Sequence, residues 1–170
     1  MYYGQLIEDC VSDGPGFRVS LYVSGCRNCC KGCHNPEGRN FKFGQEFTEA
    51  TIDKIINLLN KEYISGLTLC GGEPMEPENQ EVLIHLIKRV KERFPNKSIW
   101  CYTGYEWEDV KDSILNKYID VMVVGPFVLK ERDITCDNLW RGSRNQRIVD
   151  VQRSLIEGKK VLVKDIPNNC

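Results

Sequence analysis

Cys26, Cys30 and Cys33 stand in the run Gly25-Cys-Arg-Asn-Cys-Cys-Lys-Gly-Cys-His-Asn-Pro36, with three residues and then two between them. Thiolates are soft ligands that favour iron–sulfur clusters, zinc or copper(I). Four evenly placed thiolates would close a structural zinc site or fill every position of a cubane. Three close together point to a four-iron cluster with one iron lacking a protein ligand, open to a substrate. Cys29 is a fourth thiol in the run, so a zinc knot and a disulfide pairing stay open as other readings. Adjacent Cys29 and Cys30 diverge, so they do not easily share one metal with Cys26 and Cys33.

A second stretch carries chemistry of a different kind. Residues 66–70 form a short apolar run that ends in Gly71, Gly72, Glu73 and Pro74. Two glycines after a buried strand let the backbone approach a ligand closely. Carbonyls exposed there accept hydrogen bonds from an ammonium group, and Glu73 adds negative charge. An ordinary strand-to-helix turn is the alternative. Asp13-Gly-Pro-Gly16 is a strong turn signal that by itself need only connect two strands.

Together these residues resemble the radical S-adenosylmethionine enzymes. The form with Gly25 before the motif, and Gly32, Cys33 and Asn35 closing it, is similar to the activating components of anaerobic ribonucleotide reductase. The resemblance spans nearly the whole chain. It implies that Cys26, Cys30 and Cys33 hold a [4Fe–4S] cluster, with Cys29 outside the ligand set. It implies that S-adenosylmethionine binds the open iron and is cleaved to methionine and a 5′-deoxyadenosyl radical. Gly71, Gly72 and Glu73 then receive the methionine amino group, and Asp13 lies near the radical-transfer face. His34, Asn35, Tyr102 and Thr103 are expected at the cofactor. Arg141, Asn145 and Gln146, in the polar stretch 139–147, are candidates for polar contacts to it, and Arg144 for the partner. The implied partners are the large reductase subunit that carries the glycine and an electron donor protein such as reduced flavodoxin.

Composition sets bounds on these readings. The chain has 170 residues, enough for one domain with a real core, and a single radical S-adenosylmethionine domain over 1–170 is expected. Lys and Arg number 23 against 24 Asp and Glu, so nothing in the charge balance asks for nucleic acid. No apolar run approaches membrane-spanning length, and the first residues do not read as a signal peptide. Nine cysteines without a secretory signal point to reduced thiols and a cytoplasmic location.

The elements that must position these residues follow from periodicity. Strands are expected over 2–7, 17–23, 66–70, 98–102, 119–124, 148–151 and 160–164. Helices are expected from Thr48 with Ile52, Ile55, Ile56 and Leu59 as the apolar stripe, from residue 77 to about Val90, over 106–115, and over 151–157 up to Gly158. Residues 36–44 read as a loop over the cysteines in which Phe41 and Phe43 pack. Residues 128–138 read as a charged loop, and 167–170 as a fraying tail. Cys70 and Trp100 read as core residues.

Alternating strands and helices imply an α/β fold with a mostly parallel sheet. The chain is short for an eight-unit barrel, typically about 250 residues. A partial, open (β/α) barrel fits that length, and the resemblance implies one of the radical S-adenosylmethionine type, with the cluster at the carboxyl ends of the strands. Two other functions are consistent with the sequence: an activase of another glycyl-radical enzyme such as pyruvate formate-lyase, and a non-catalytic zinc-binding interaction module. A small radical enzyme acting on a metabolite is a further one.

Overall fold

The computed structural model describes residues 1–132 and 140–164. Seven strands form one open sheet: β1 (Tyr2–Cys10), β2 (Phe17–Val23), β3 (Gln45–Glu46), β4 (Ile64–Gly71), β5 (Ser98–Tyr102), β6 (Val121–Val124) and β7 (Arg147–Asp150). Their order is β3-β1-β2-β4-β5-β6-β7. The helices are α1 (Glu49–Leu59), α2 (Pro77–Arg93), α3 (Trp107–Val110) and α4 (Val151–Glu157).

The sheet is mixed, which corrects the expectation of a mostly parallel one. β2, β4, β5 and β6 run parallel at the centre. β1 is antiparallel to β2 and to β3, and β7 is antiparallel to β6. The first reversal has a simple cause. Residues 11–16 are too few for the crossover of a dozen or more residues that a parallel pair needs.

Strand alternation divides the sheet into two unlike faces. Val19, Leu21 and Val23 of β2, Leu67 and Leu69 of β4, Ile99 of β5 and Met122 of β6 belong to the main core, with Ile52, Ile55 and Leu59 of α1 and Leu83, Leu86, Ile87 and Val90 of α2. Thr48 and Thr51 form the capping box that starts α1, and Pro77 at the first turn starts α2, where its missing N–H costs nothing. The alternate positions on the other face are Arg18, Ser20 and Tyr22, then Thr68 and Cys70, then Trp100 and Tyr102.

Arg18 explains how so polar a face is tolerated. Its guanidinium is fully buried, and every N–H of it finds an oxygen. Nε donates to Thr68 Oγ1 at 2.7 Å, Nη1 to Ser98 Oγ at 3.0 Å and Pro15 O at 3.4 Å, and Nη2 to Leu67 O and Ser98 O, both at 2.9 Å. Trp100 covers it, with the guanidinium carbon 5.6 Å from the ring centroid. Burial lowers its pKa to about 10, still well above neutrality. Thr68 Oγ1 then donates to Asp13 O at 2.8 Å, so the turn before β2 rests on this arginine.

Gly66 gives Arg18 its room. A Cβ there would sit 1.9 Å from Ser98 O and 2.9 Å from Arg18 Nη2. Gly66→Ala should therefore lower stability by about 3 kcal/mol, the upper end of overpacking costs. Denaturant unfolding checks this, and a loss under about 0.5 kcal/mol, the usual range of a neutral surface change, would contradict it.

Three expected elements are altered by tertiary contacts. The helix expected over 106–115 stops at Val110, and a 3-10 turn follows over Ile114–Lys117. Ser113 caps that turn by accepting from Leu115 N at 3.2 Å, and Asn116 Nδ2 donates to Val110 O and Lys111 O, both at 2.9 Å. The strand expected over 160–164 is reduced to one antiparallel bridge, Val149 to Leu162. Ser154 Oγ takes the amide of Val161 at 2.9 Å, which removes a ladder donor. The loop expected over 36–44 contains a 3-10 turn, Glu37–Arg39. The charged loop expected over 128–138 falls partly, and the tail 167–170 wholly, outside the described residues. Cys136, Leu139 and Cys170 lie outside them as well.

Candidate functional site

A cavity of about 560 Å³ opens on the polar face at the carboxyl ends of β2, β4 and β5. Cys26, Cys30 and Cys33 line it together. Each is a half-buried free thiol, whereas Cys29 is exposed and lies outside the lining. Among the described residues no three His, Cys, Asp or Glu side chains converge as ligands of a single metal ion. A cubane makes no such demand, because each thiolate binds a different iron. Three thiols around one cavity therefore fit a [4Fe–4S] cluster. Burial pushes the Cys26 thiol up to about 11; a backbone hydrogen bond at Asn28 opposes the shift, and Glu73, Cys30 and Glu76 add to it. Loading the site must expel that proton, because the ligand is the thiolate.

The loop 24–30 is irregular and is held by backbone bonds from both sides. Gly25 N donates to Gly38 O at 2.8 Å and Cys26 N to Arg39 O at 3.2 Å. Gly72 N donates to Val23 O at 2.7 Å and Glu73 N to Gly25 O at 2.8 Å. Arg39 Nη2 donates to Cys30 O at 2.6 Å. The segment 71–73 thus serves as a buttress of the cysteine loop as well as a wall of the cavity. Gly71 takes φ of +100°, a conformation that side chains rarely adopt.

Glu73 is the hub of this region. Its carboxylate accepts from Gly104 N at 2.7 Å, Asn28 Nδ2 at 2.9 Å and Met75 N at 3.0 Å. Burial raises its pKa to about 7, while the Gly104 and Met75 amides and Thr103 oppose the shift. A cationic group arriving in the cavity would favour its ionised form.

The structure gathers Asp13, His34, Asn35, Gly71, Gly72, Glu73, Tyr102, Thr103, Arg141 and Gln146 around the one cavity. Asp13 accepts from Tyr22 OH at 2.7 Å, and Cys70 Sγ is 3.9 Å away. Asn35 Oδ1 accepts from Gly38 N at 3.3 Å and so shapes the 3-10 turn beside the cysteines. Gln146 is already committed: its Oε1 accepts from Gly142 N and Ser143 N, and its Nε2 donates to Gly125 O. Asn145 is not brought to the cavity, because its Nδ2 turns away to Pro126 O at 2.8 Å. Cys70 is buried as expected, but it lines the cavity. Trp100 is buried beside Trp140, in a small cluster separate from the main core.

Several residues of the site escaped sequence reading. Arg18 and Tyr22 hold the Asp13 turn, Asn28 reaches Glu73, and Glu76 grips the cysteine loop. None of them carries a local signal: Arg18, at the position alternating with Val19, Leu21 and Val23, reads as an outward-facing arginine of a half-buried strand.

Comparison with known proteins agrees with this geometry. The family model described as a 4Fe-4S single cluster domain matches residues 12–149. The chain is 43% identical over 148 residues to a protein of Enterobacteria phage T4, covering 87% of this chain and 93% of that one. It is 42% identical over 152 residues to a protein of Vibrio cholerae, covering 87% and 97%. It is 38% identical over 150 residues to one of Escherichia coli, covering 86% and 96%. All three are named anaerobic ribonucleoside-triphosphate reductase-activating protein.

Proposed function

We propose, since the chain belongs to the family of anaerobic ribonucleoside-triphosphate reductase-activating proteins, that it places a glycyl radical on the large subunit of such a reductase. The observation that carries this reading is the meeting of Cys26, Cys30 and Cys33 with Gly71, Gly72 and Glu73 around one cavity. The cluster, when bound, supplies the one-electron reductive cleavage of S-adenosylmethionine to methionine and a 5′-deoxyadenosyl radical.

The chain's own residues do the rest. Cys26, Cys30 and Cys33 hold the cluster. Glu73 and the carbonyls of 71–72 receive the methionine ammonium, whose charge keeps the Glu73 carboxyl ionised. His34, Asn35, Tyr102, Thr103 and Arg141 line the space left for the nucleoside, with Gln146 shaping its wall. Asp13, held by Tyr22, faces the same cavity, where the partner's glycine enters. That chemistry would remove a hydrogen atom from the α-carbon of that glycine and would leave a backbone-delocalised glycyl radical on the partner. Closing the cavity with the partner's loop excludes water from the reactive species.

The open sheet supports a partial barrel of the radical S-adenosylmethionine type, acting as a single domain over 1–170 in the cytoplasm. No helix among the described residues is long and apolar enough to cross a membrane. The electron comes from a donor protein such as reduced flavodoxin, and neither nucleic acid nor membrane is a direct partner. The match to a 4Fe-4S domain favours the cluster over a zinc-binding module. The printed names of the relatives favour the reductase over pyruvate formate-lyase as target.

Anaerobic mixing of the reconstituted protein with the candidate reductase, S-adenosylmethionine and a reductant tests this. A glycyl-centred doublet should appear in electron paramagnetic resonance, with one 5′-deoxyadenosine per radical. With α-deuterated glycine in the partner, deuterium should enter the 5′-deoxyadenosine. A radical formed without deuterium transfer would refute direct abstraction. Modification of a small metabolite alone would refute the activase.

A further inference from the structure

Two residues between the first and second ligands, Arg27 and Asn28, are each held by a carboxylate from the segment that follows β4. Asn28 meets Glu73, as described. Arg27 meets Glu76, whose side chain is only 1% exposed. Arg27 N donates to Glu76 Oε1 at 2.8 Å, and its guanidinium pairs with Glu76 Oε2. The same guanidinium reaches Glu78 at 2.6 Å and lies over the Phe41 ring, 4.5 Å from its centroid. Tyr105 OH donates to Glu76 Oε1, the oxygen that also takes Arg27 N, at 3.3 Å. Backbone and side chain of one residue are thus gripped by a single buried carboxylate, one position after Cys26.

A buried carboxylate is tolerated when it is paired and hydrogen-bonded. Here the pair joins the cysteine loop to the start of α2 and sets the buried Glu76 carboxylate against the Arg27 guanidinium one position after a ligand residue, while Glu78, the guanidinium's second partner, lies in solvent. Cluster potentials respond to net charge and to the hydrogen bonding around the ligands. We propose that Glu76 is a positioning residue for the cluster: through Arg27 it fixes the turn between Cys26 and Cys30 and balances the charge beside the first ligand, which sets the cluster's reduction potential. The inference rests on the cluster of the proposed function.

The sign follows from the electron. Reduction adds negative charge, so removing a nearby negative charge favours it and removing a positive one opposes it. The test is redox titration of the anaerobically reconstituted full chain at pH 8.5, followed by the cluster's electron paramagnetic resonance signal. Glu76→Gln should raise the ratio of reduced to oxidised cluster at fixed reductant by about tenfold, about 59 mV for a one-electron couple. Arg27→Gln should lower it by a similar factor. Arg27→Lys, which keeps the charge, and the double variant Arg27→Gln/Glu76→Gln should return close to the parent. Shifts of the same sign in the two single variants, or none in either, would overturn the inference. Should Glu76→Gln lose iron, recovery of iron in the double variant supports the pair and failure to recover overturns it. A parent protein that takes up no iron would refute the cluster itself, which is a different failure.

Discussion

Cys30→Ala is expected to leave the protein without a stable cluster and to drop reductase activation to background, while Cys29→Ala keeps both. The two thiols are neighbours in sequence and opposite in placement. Cys30 lines the cavity with Cys26 and Cys33, whereas Cys29 is exposed and outside it. Cys29 takes φ of +39°, the left-handed region that side chains rarely adopt. Removing Cys26, Cys30 or Cys33 leaves only two of the three thiols that line the cavity, too few to hold three irons of a cubane. Iron and sulfide analysis with the visible spectrum of anaerobically prepared protein reads the outcome. Loss of the cluster in Cys29→Ala with retention in Cys30→Ala would reverse the ligand assignment.

Gly72→Val should be nearly as damaging, chiefly by straining its turn, a route the sequence offers beside intrusion on the methionine moiety. Read from the sequence, the substitution weakens S-adenosylmethionine binding and leaves iron largely intact. The structure moves the damage to the cysteine loop. A Cβ on Gly72 would stand 2.6 Å from Gly25 O, 2.8 Å from Gly38 O and 3.0 Å from Val23 O. All three are backbone atoms, so none yields by a rotamer change. The same carbonyls of Val23, Gly25 and Gly38 accept the amides of Gly72, Glu73 and Gly25 that hold the loop. A valine would break that set, at about 3 kcal/mol of overpacking, and displace the residue preceding Cys26. Iron content should therefore fall severalfold along with cofactor binding. A variant with full iron and weak cofactor binding would restore the simpler reading of Gly72 as a wall of the pocket alone.

The sequence by itself determined the parts that are local. Four thiols within eight residues mark a soft-metal site whatever surrounds them, so the cysteine run was legible from spacing; the resemblance singled out Cys26, Cys30 and Cys33, and the fold brings those three around one cavity. Hydrophobic period placed the four parallel central strands and the helices α1 and α2, because each buries one face against the same core. The tertiary structure decided what depends on residues far apart in the chain. Arg18 acts through Thr68 and Ser98, 50 and 80 positions away, and no periodicity encodes such partners. Glu76 holds Arg27 across 49 positions, and Glu73 turns from a lone charge into a hub of three loops because Asn28 and Gly104 fold onto it. The antiparallel edges, the shortened α3 and the loss of the final strand to a single bridge have the same origin. Each turns on where a backbone amide finds its acceptor, a choice that only the assembled sheet makes.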